Sequence, residues 1–213
     1  MEDDMTRLFA GLAAGTVAAF LGASAWWVVA NRTDDSFAQC RQGQVAGGDI
    51  GGPFSLVNPA GETVTDAQVL AKPALVYFGY TFCPDVCPFD MARNAEAVDI
   101  LDAQGIDVTP VFISIDPERD TPEALGDYAA NMHPKLIALT GSDEQIRTAS
   151  QAYKTYYRRQ PSDDPDFYLV DHSTFTYLML PEVGFVDFFR REITSEQMAE
   201  SVACFVSASE TGT

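Results

Sequence analysis

The longest apolar stretch lies at the start of the chain. From Leu8 to Ala30 it reads LFAGLAAGTVAAFLGASAWWVVA, 23 residues without a charge. A helix of about 20 such residues crosses the hydrocarbon core of a bilayer. Trp26 and Trp27 stand near one end, where indole rings favour the membrane–water interface. The pattern predicts one uncleaved transmembrane helix over 8–30, after a stub over 1–7. A secretory signal is the competing reading, but its apolar region is typically about 7–15 residues and ends in a small-residue cleavage site. Orientation is weakly encoded, with Arg7 on one side and Arg32 on the other. A linker follows over 31–52, carrying Gly43, Gly47, Gly48, Gly51 and Gly52, a composition that suits a flexible arm. The folded domain is expected over 53–213.

Within that domain short apolar runs alternate with helical spacing. Phe54 to Val57 reads as a short strand before a turn at Asn58, Pro59 and Gly61. Ala74 to Tyr80 (ALVYFGY) is a continuous apolar and aromatic run, the mark of a strand covered on both faces. Pro88 to Ala103 reads as a helix whose inner face is Met91, Ala95, Val98 and Leu101. Val108 to Ile115 is a second buried strand, weakened early by Pro110. Thr121 and Pro122 predict a helix start, N-cap then first position, running to about Met132. Leu136 to Leu139 is a short strand, and Ser142 to Tyr156 a helix. Phe167 to Val170, Phe175 to Leu180 and Gly184 to Phe189 are strands, the last two a hairpin. Thr194 to Val206 closes the chain as a helix with a capping box. This order predicts an α/β fold, a central sheet with helices on both faces.

Charge narrows the partners. Asp and Glu number 31 against 13 Lys and Arg, for a formal net charge of −18. Such a field repels nucleic acid and favours a basic partner surface or a cationic ligand. The acidic stub, Glu2 to Asp4, is unlike an organelle transit peptide and favours a bacterial inner-membrane protein; the cysteines considered below support an exported domain, placed in the periplasm.

The candidate chemistry is a thiol pair. Cys83 and Cys87 stand in T-F-C-P-D-V-C-P, directly after the ALVYFGY strand and at a helix start. Helix N-termini stabilise thiolate, which is both the nucleophile and the metal ligand. Thioredoxin-type redox motifs usually have two residues between the cysteines, whereas this one has three. Inert thiols or a structural disulfide remain an alternative. Of two histidines, His133 reads as a surface residue at a helix end, while His172 in Y-L-V-D-H-S-T-F is a credible third ligand at a strand end. Two thiolates and an imidazole suit Cu(I), and Cu(II) with an added ligand. Structural zinc would want a fourth protein ligand. Asp171 is a candidate to orient the imidazole, Asp85 to tune the thiolates, and Asp116 and Asp120 read as turn and capping residues.

At these residues the chain resembles the SCO/SenC family of copper-binding proteins. The resemblance rests on F-x-C-P-D-V-C-P after an apolar strand, V-D-H-S downstream, Phe112 to Glu123 (FISIDPERDTPE) and His133 to Gly141 (HPKLIALTG). It implies a thioredoxin-like fold with an inserted β-hairpin, and copper held by Cys83, Cys87 and His172. It further implies a metallochaperone for the binuclear copper centre of cytochrome c oxidase subunit II, with an upstream copper donor as a second partner. Such a role needs no covalent substrate chemistry, so the chain is not read as an enzyme on that account. The alternative is a thiol–disulfide oxidoreductase, with Cys83 and Cys87 as its redox-active pair. Peroxidase chemistry on the same fold is remote. Cys40 and Cys204 lie outside the shared pattern: either they form a disulfide, which requires an oxidising compartment, or they are unrelated thiols.

Overall fold

The computed structural model describes residues 15–17, 19–27, 29–30, 36–41, 49–164 and 166–211. The chain divides into two units, Met1–Ser36 and Phe37–Thr213. In the first, residues 15–17, 19–27 and 29–30 are helical (α1), with Trp26 and Trp27 exposed. Residues 8–14 of the expected anchor, and 31–35 and 42–48 of the expected linker, lie outside the described residues. Among the described residues no helix is long and apolar enough to cross a membrane.

The second unit is built on a five-stranded mixed sheet in the order β5-β4-β3-β8-β9, from β3 (Ala74–Gly79), β4 (Thr109–Ser114), β5 (Ile137–Leu139), β8 (Thr176–Leu180) and β9 (Gly184–Phe189). β3, β4 and β5 run parallel, while β8 and β9 are antiparallel additions at the β3 edge. Every residue of β3 is buried, as its unbroken apolar run requires of a central strand. Pro110 is tolerated in β4 because the ladder to β5 begins only at Val111. Its missing N–H therefore forfeits no strand bond.

Helices α3 (Val86–Ala103), α4 (Pro122–Met132), α5 (Asp143–Ala152) and α6 (Ser195–Thr211) flank the sheet. One apolar cluster joins α3 and α6 to the sheet through Leu75, Val98, Leu101, Leu178, Val202 and Phe205. The other packs the opposite side and includes both site cysteines. A small hairpin, β1 (Ser55–Val57) with β2 (Thr63–Thr65), leads into the four-residue helix α2 (Asp66–Val69).

Between α5 and β8 the expected pattern is revised. The helix expected to reach Tyr156 stops at Ala152, and Lys154 takes a left-handed φ of 54°, as helix ends commonly do. The chain then forms β6 (Tyr157–Arg159), which pairs antiparallel with β7 (Val170–His172) as a separate two-stranded arm. The strand expected at Phe167 to Val170 is thus displaced toward His172, and Phe167 and Leu169 are exposed. His133 is buried rather than superficial. Its Nδ1 accepts the Lys135 N–H at 3.1 Å and its Nε2 meets Asp99 at 3.3 Å, so it ties the end of α4 to α3.

Cys40 and Cys204 form a disulfide across 164 residues, with Phe37 against Phe205 at 5.6 Å. A crosslink over so long a loop restricts the unfolded chain and typically adds about 2–4 kcal/mol. Cys40→Ser with Cys204→Ser is expected to lower unfolding free energy in urea by that amount and to leave the Cys83–Cys87 pair unchanged. A loss below about 0.5 kcal/mol, within the range of ordinary surface changes, would show that the crosslink holds nothing.

Candidate metal centre

The C-terminal end of β3 and the N-terminus of α3 create the thiol site. β3 ends at Gly79, and a Cβ there would lie 3.0 Å from the Cys87 sulfur and 2.8 Å from the Tyr77 ring. Glycine is what lets the sulfur rest over the strand end. Pro88 takes the third position of α3, where a helix has no use for a backbone N–H. The Cys87 N–H instead points to Cys83 Sγ at 3.5 Å. Both cysteines are free thiols and both are buried.

His172 arrives from the other side, at the end of β7. Its Nε2 lies 3.3 Å from Cys87 Sγ. Its Nδ1 lies 2.8 Å from the Ser173 carbonyl oxygen. A carbonyl only accepts, so Nδ1 carries the proton and Nε2 presents its lone pair to the sulfurs. The ligand atoms of Cys83, Cys87 and His172 all lie within 4.8 Å of one another. Tyr77 and Tyr80 meet the imidazole edge-on at 6.2 and 5.8 Å.

The partner of the imidazole differs from the one expected. Asp171 accepts from Gln160 Nε2 at 2.6 Å and pairs with Arg158 at 3.5 Å. Neighbouring strand residues point to opposite faces, which takes Asp171 away and leaves the Ser173 carbonyl to fix the ring.

The two thiols are driven apart in acidity. Cys83 is pushed well down, first by the hydrogen bond from the Cys87 thiol, with burial opposing and the backbone N–H groups of Cys87 and Asp85 adding to the effect. Cys87 is pushed up because its thiol is the one that donates to Cys83, and because it is buried. The two sulfurs thus lean in opposite directions, Cys83 toward thiolate and Cys87 toward thiol, beside an imidazole. Soft sulfur and borderline nitrogen in a three-donor set suit copper better than a four-ligand structural zinc.

Two carboxylates that read as turn residues hold the site together. Asp120 is fully buried and accepts from Thr81 N–H at 3.1 Å, Thr81 Oγ1 at 2.5 Å and Ser114 Oγ at 2.5 Å. It therefore grips the chain two residues before Cys83. Asp116 also accepts, from Arg119 Nε and the Tyr168 hydroxyl, each at 2.6 Å. Burial raises the Asp120 carboxyl above its ordinary value. In the window between its unfolded and folded pKa values the native state holds more protons than the unfolded chain, so stability falls as pH rises and then levels off. The stability difference between wild type and Asp120→Asn is expected to be largest at acid pH and to shrink as pH rises through the folded pKa. A difference that grows with pH in denaturation series would contradict this.

The polar residues beneath the pair gave a readable signal that periodicity alone passes over. Asp90 and Asn94 sit on the buried face of α3, at positions that an amphipathic helix keeps apolar. Tyr77 donates to Asp90 Oδ2 at 3.0 Å, Arg93 pairs with Asp90 at 3.3 Å, and Asn94 bonds Thr176 at 3.0 Å.

Comparison with known proteins agrees with this geometry. Residues 42–207 match the family described as SCO1/SenC. Protein SenC of Rhodobacter capsulatus is 52% identical over 200 residues, covering 93% of this chain and 90% of that protein. The crystal structure of Arabidopsis thaliana ScoI with copper bound shares 44% identity with a TM-score of 0.70, over 74% of this chain and 99% of that one. BsSco, described as a member of the Sco family of cytochrome c oxidase assembly proteins with a disulfide switch, shares 26% identity with a TM-score of 0.61, over 80% of this chain and 99% of that one. The α/β fold with its thioredoxin-like sheet is common to these structures. With a family match over residues 42–207, a relative 52% identical over most of both chains, and a shared fold, this chain belongs to the SCO1/SenC family.

Proposed function

We propose that the protein is a copper metallochaperone that holds copper through Cys83, Cys87 and His172 and helps assemble the binuclear copper centre of cytochrome c oxidase subunit II. The observation that carries the reading is the convergence of two sulfurs and one imidazole nitrogen within 4.8 Å, on a fold whose relative was crystallised with copper bound. Three donors leave the ion accessible, so an acceptor's thiolates and imidazoles can displace them one at a time. Copper would be received from an upstream donor protein by the same exchange. The domain boundaries proposed are an N-terminal stub over 1–7, an anchor over 8–30, a linker over 31–52 and the copper-binding domain over 53–213. The uncharged run from Leu8 to Ala30 supports a single-pass anchor. The Cys40–Cys204 disulfide supports an oxidising compartment, here the bacterial periplasm.

A second reading is favoured by the divided acidity of the thiols. The Cys83 thiolate would attack a disulfide in the acceptor, giving a mixed disulfide and releasing one acceptor thiolate. Cys87, after losing its proton, would attack Cys83 Sγ and release the second. The site ends as a Cys83–Cys87 disulfide, and the acceptor gains two electrons and, once protonated, two thiols. The copper reading needs His172, whereas this one needs only the sulfurs.

Copper titration of His172→Ala separates them. Affinity is expected to fall roughly tenfold to a hundredfold, the range seen when metal sites lose a supporting interaction or more, with thiol–disulfide exchange preserved. Wild-type copper affinity in that variant would remove His172 from the site.

A further inference from the structure

The arm that carries His172 is not part of the main sheet. β6 and β7 form a ladder of only three pairs, Tyr157 with His172, Arg158 with Asp171 and Arg159 with Val170. So short a ladder has little stability by itself. Its place on the domain is set by side chains, and these converge on Tyr168, two residues before β7. Arg119 and Arg159 each place their guanidinium carbon 3.6 Å from the centre of the Tyr168 ring. Two guanidinium groups cannot share one face at that distance, so the ring is sandwiched between them. Arg119 comes from the loop after β4 and Arg159 from β6, so the sandwich bolts the arm to the core. Hydrogen bonds close the assembly: Tyr168 Oη donates to Asp116 Oδ1 at 2.6 Å, and Arg159 donates to Glu118 at 2.7 Å. Arg119 also lies 5.6 Å from the Tyr80 ring, and the Tyr80 hydroxyl accepts the Val170 N–H at 3.3 Å. Stacking of this kind is strengthened where water is excluded, and Tyr168 is 5% exposed.

We propose that Tyr168, clamped between Arg119 and Arg159, is the positioning residue that holds the β6–β7 arm so that His172 reaches the Cys83–Cys87 pair. The inference rests on the copper reading for its consequence but not for its geometry. Releasing the clamp frees the imidazole and leaves both sulfurs in place, since Cys83 and Cys87 are held by β3, α3 and the Asp120–Thr81 contact. The loop after β4 therefore serves both halves of the centre: Asp120 grips the cysteine segment, and Asp116, Glu118 and Arg119 grip the histidine arm.

The test uses the full-length protein with Tyr168→Ala, Tyr168→Phe and Arg159→Ala, the last being a half-exposed residue whose loss is mild for folding. Without metal, amide hydrogen exchange in 157–159 and 170–172 is expected to quicken about 10–100-fold in Tyr168→Ala, by the loss of local protection. Exchange in β3 and β4 stays unchanged, Tyr168→Phe restores most of the protection, and Arg159→Ala falls between. With Cu(II) added, Tyr168→Ala is expected to keep the sulfur-to-copper absorption, to lose the imidazole nitrogen coupling in electron paramagnetic resonance, and to bind about 10–100-fold more weakly. Tyr168→Phe should regain the nitrogen signal. Wild-type exchange in the arm of Tyr168→Ala, or failure of Tyr168→Phe to restore protection, would overturn the clamp. If wild type itself shows no copper nitrogen donor, the copper reading fails, while the exchange measurements still decide the clamp.

Discussion

Asp90→Ala is expected to destabilise the protein by about 3–5 kcal/mol, the range for breaking a buried ion pair from one side. The Asp90 side chain is 4% exposed and its Arg93 partner 10% exposed. Burial pushes the Asp90 carboxyl up, with Arg93 and the Tyr77 hydroxyl opposing. Removing the carboxylate leaves a guanidinium in a confined space, bonded among the described residues to Asn94, Thr176 and the Arg190 carbonyl. It also leaves the Tyr77 hydroxyl without its acceptor. Against a typical total of about 5–15 kcal/mol, such a loss is readily measured by urea denaturation. Tyr77→Phe removes only a hydroxyl and is expected to cost about 1 kcal/mol. An Asp90→Ala cost no larger than that of Tyr77→Phe would mean that Arg93 finds water or other partners and that the network does not support α3.

The second large effect concerns the cargo. Cys87→Ser is expected to weaken copper binding by more than about 100-fold, beyond the loss typical of a supporting contact, while the fold persists. Serine is close in size, yet its oxygen is a hard donor and stays protonated, so a soft ion loses a ligand with little change in packing. The serine hydroxyl can still donate to Cys83 in place of the thiol, so the loss reports the missing sulfur ligand rather than a changed Cys83. Competition with a copper chelator measures the change. Retention within tenfold would place the ion elsewhere.

Much of the centre was legible in the chain. The unbroken apolar run of β3 marks where the cysteine segment begins, but Pro88, expected as the first helical residue, is the third of α3, which starts at Val86 and takes Cys87 into the helix. With only two histidines, the choice of His172 was short. The Cys40–Cys204 bond is long-range, and spacing alone left it undecided until the helix α6 brought both sulfurs together. β6 is not legible for a clear reason: Tyr157–Arg159 (YRR) has no alternation of its own, and it becomes a strand because β7 lies beside it. Asp116 and Asp120 differ in the opposite way. Their local pattern, two acids around a proline, is that of a turn, which is correct. Asp116 finds Tyr168, 52 positions away, and Asp120 finds Thr81, 39 positions away, and no local pattern reports those contacts. His133 departs from its pattern likewise: a histidine at a helix end is usually solvated, whereas here Asp99 and the Lys135 N–H give it a buried place.

The most direct test of the account is copper-edge X-ray absorption on the full-length protein loaded with one Cu(I). The account predicts a first shell of two sulfurs at thiolate distances and one imidazole nitrogen, with the nitrogen shell absent in His172→Ala. A shell of oxygen and nitrogen alone, or one with the same imidazole signal after His172 is removed, would contradict it.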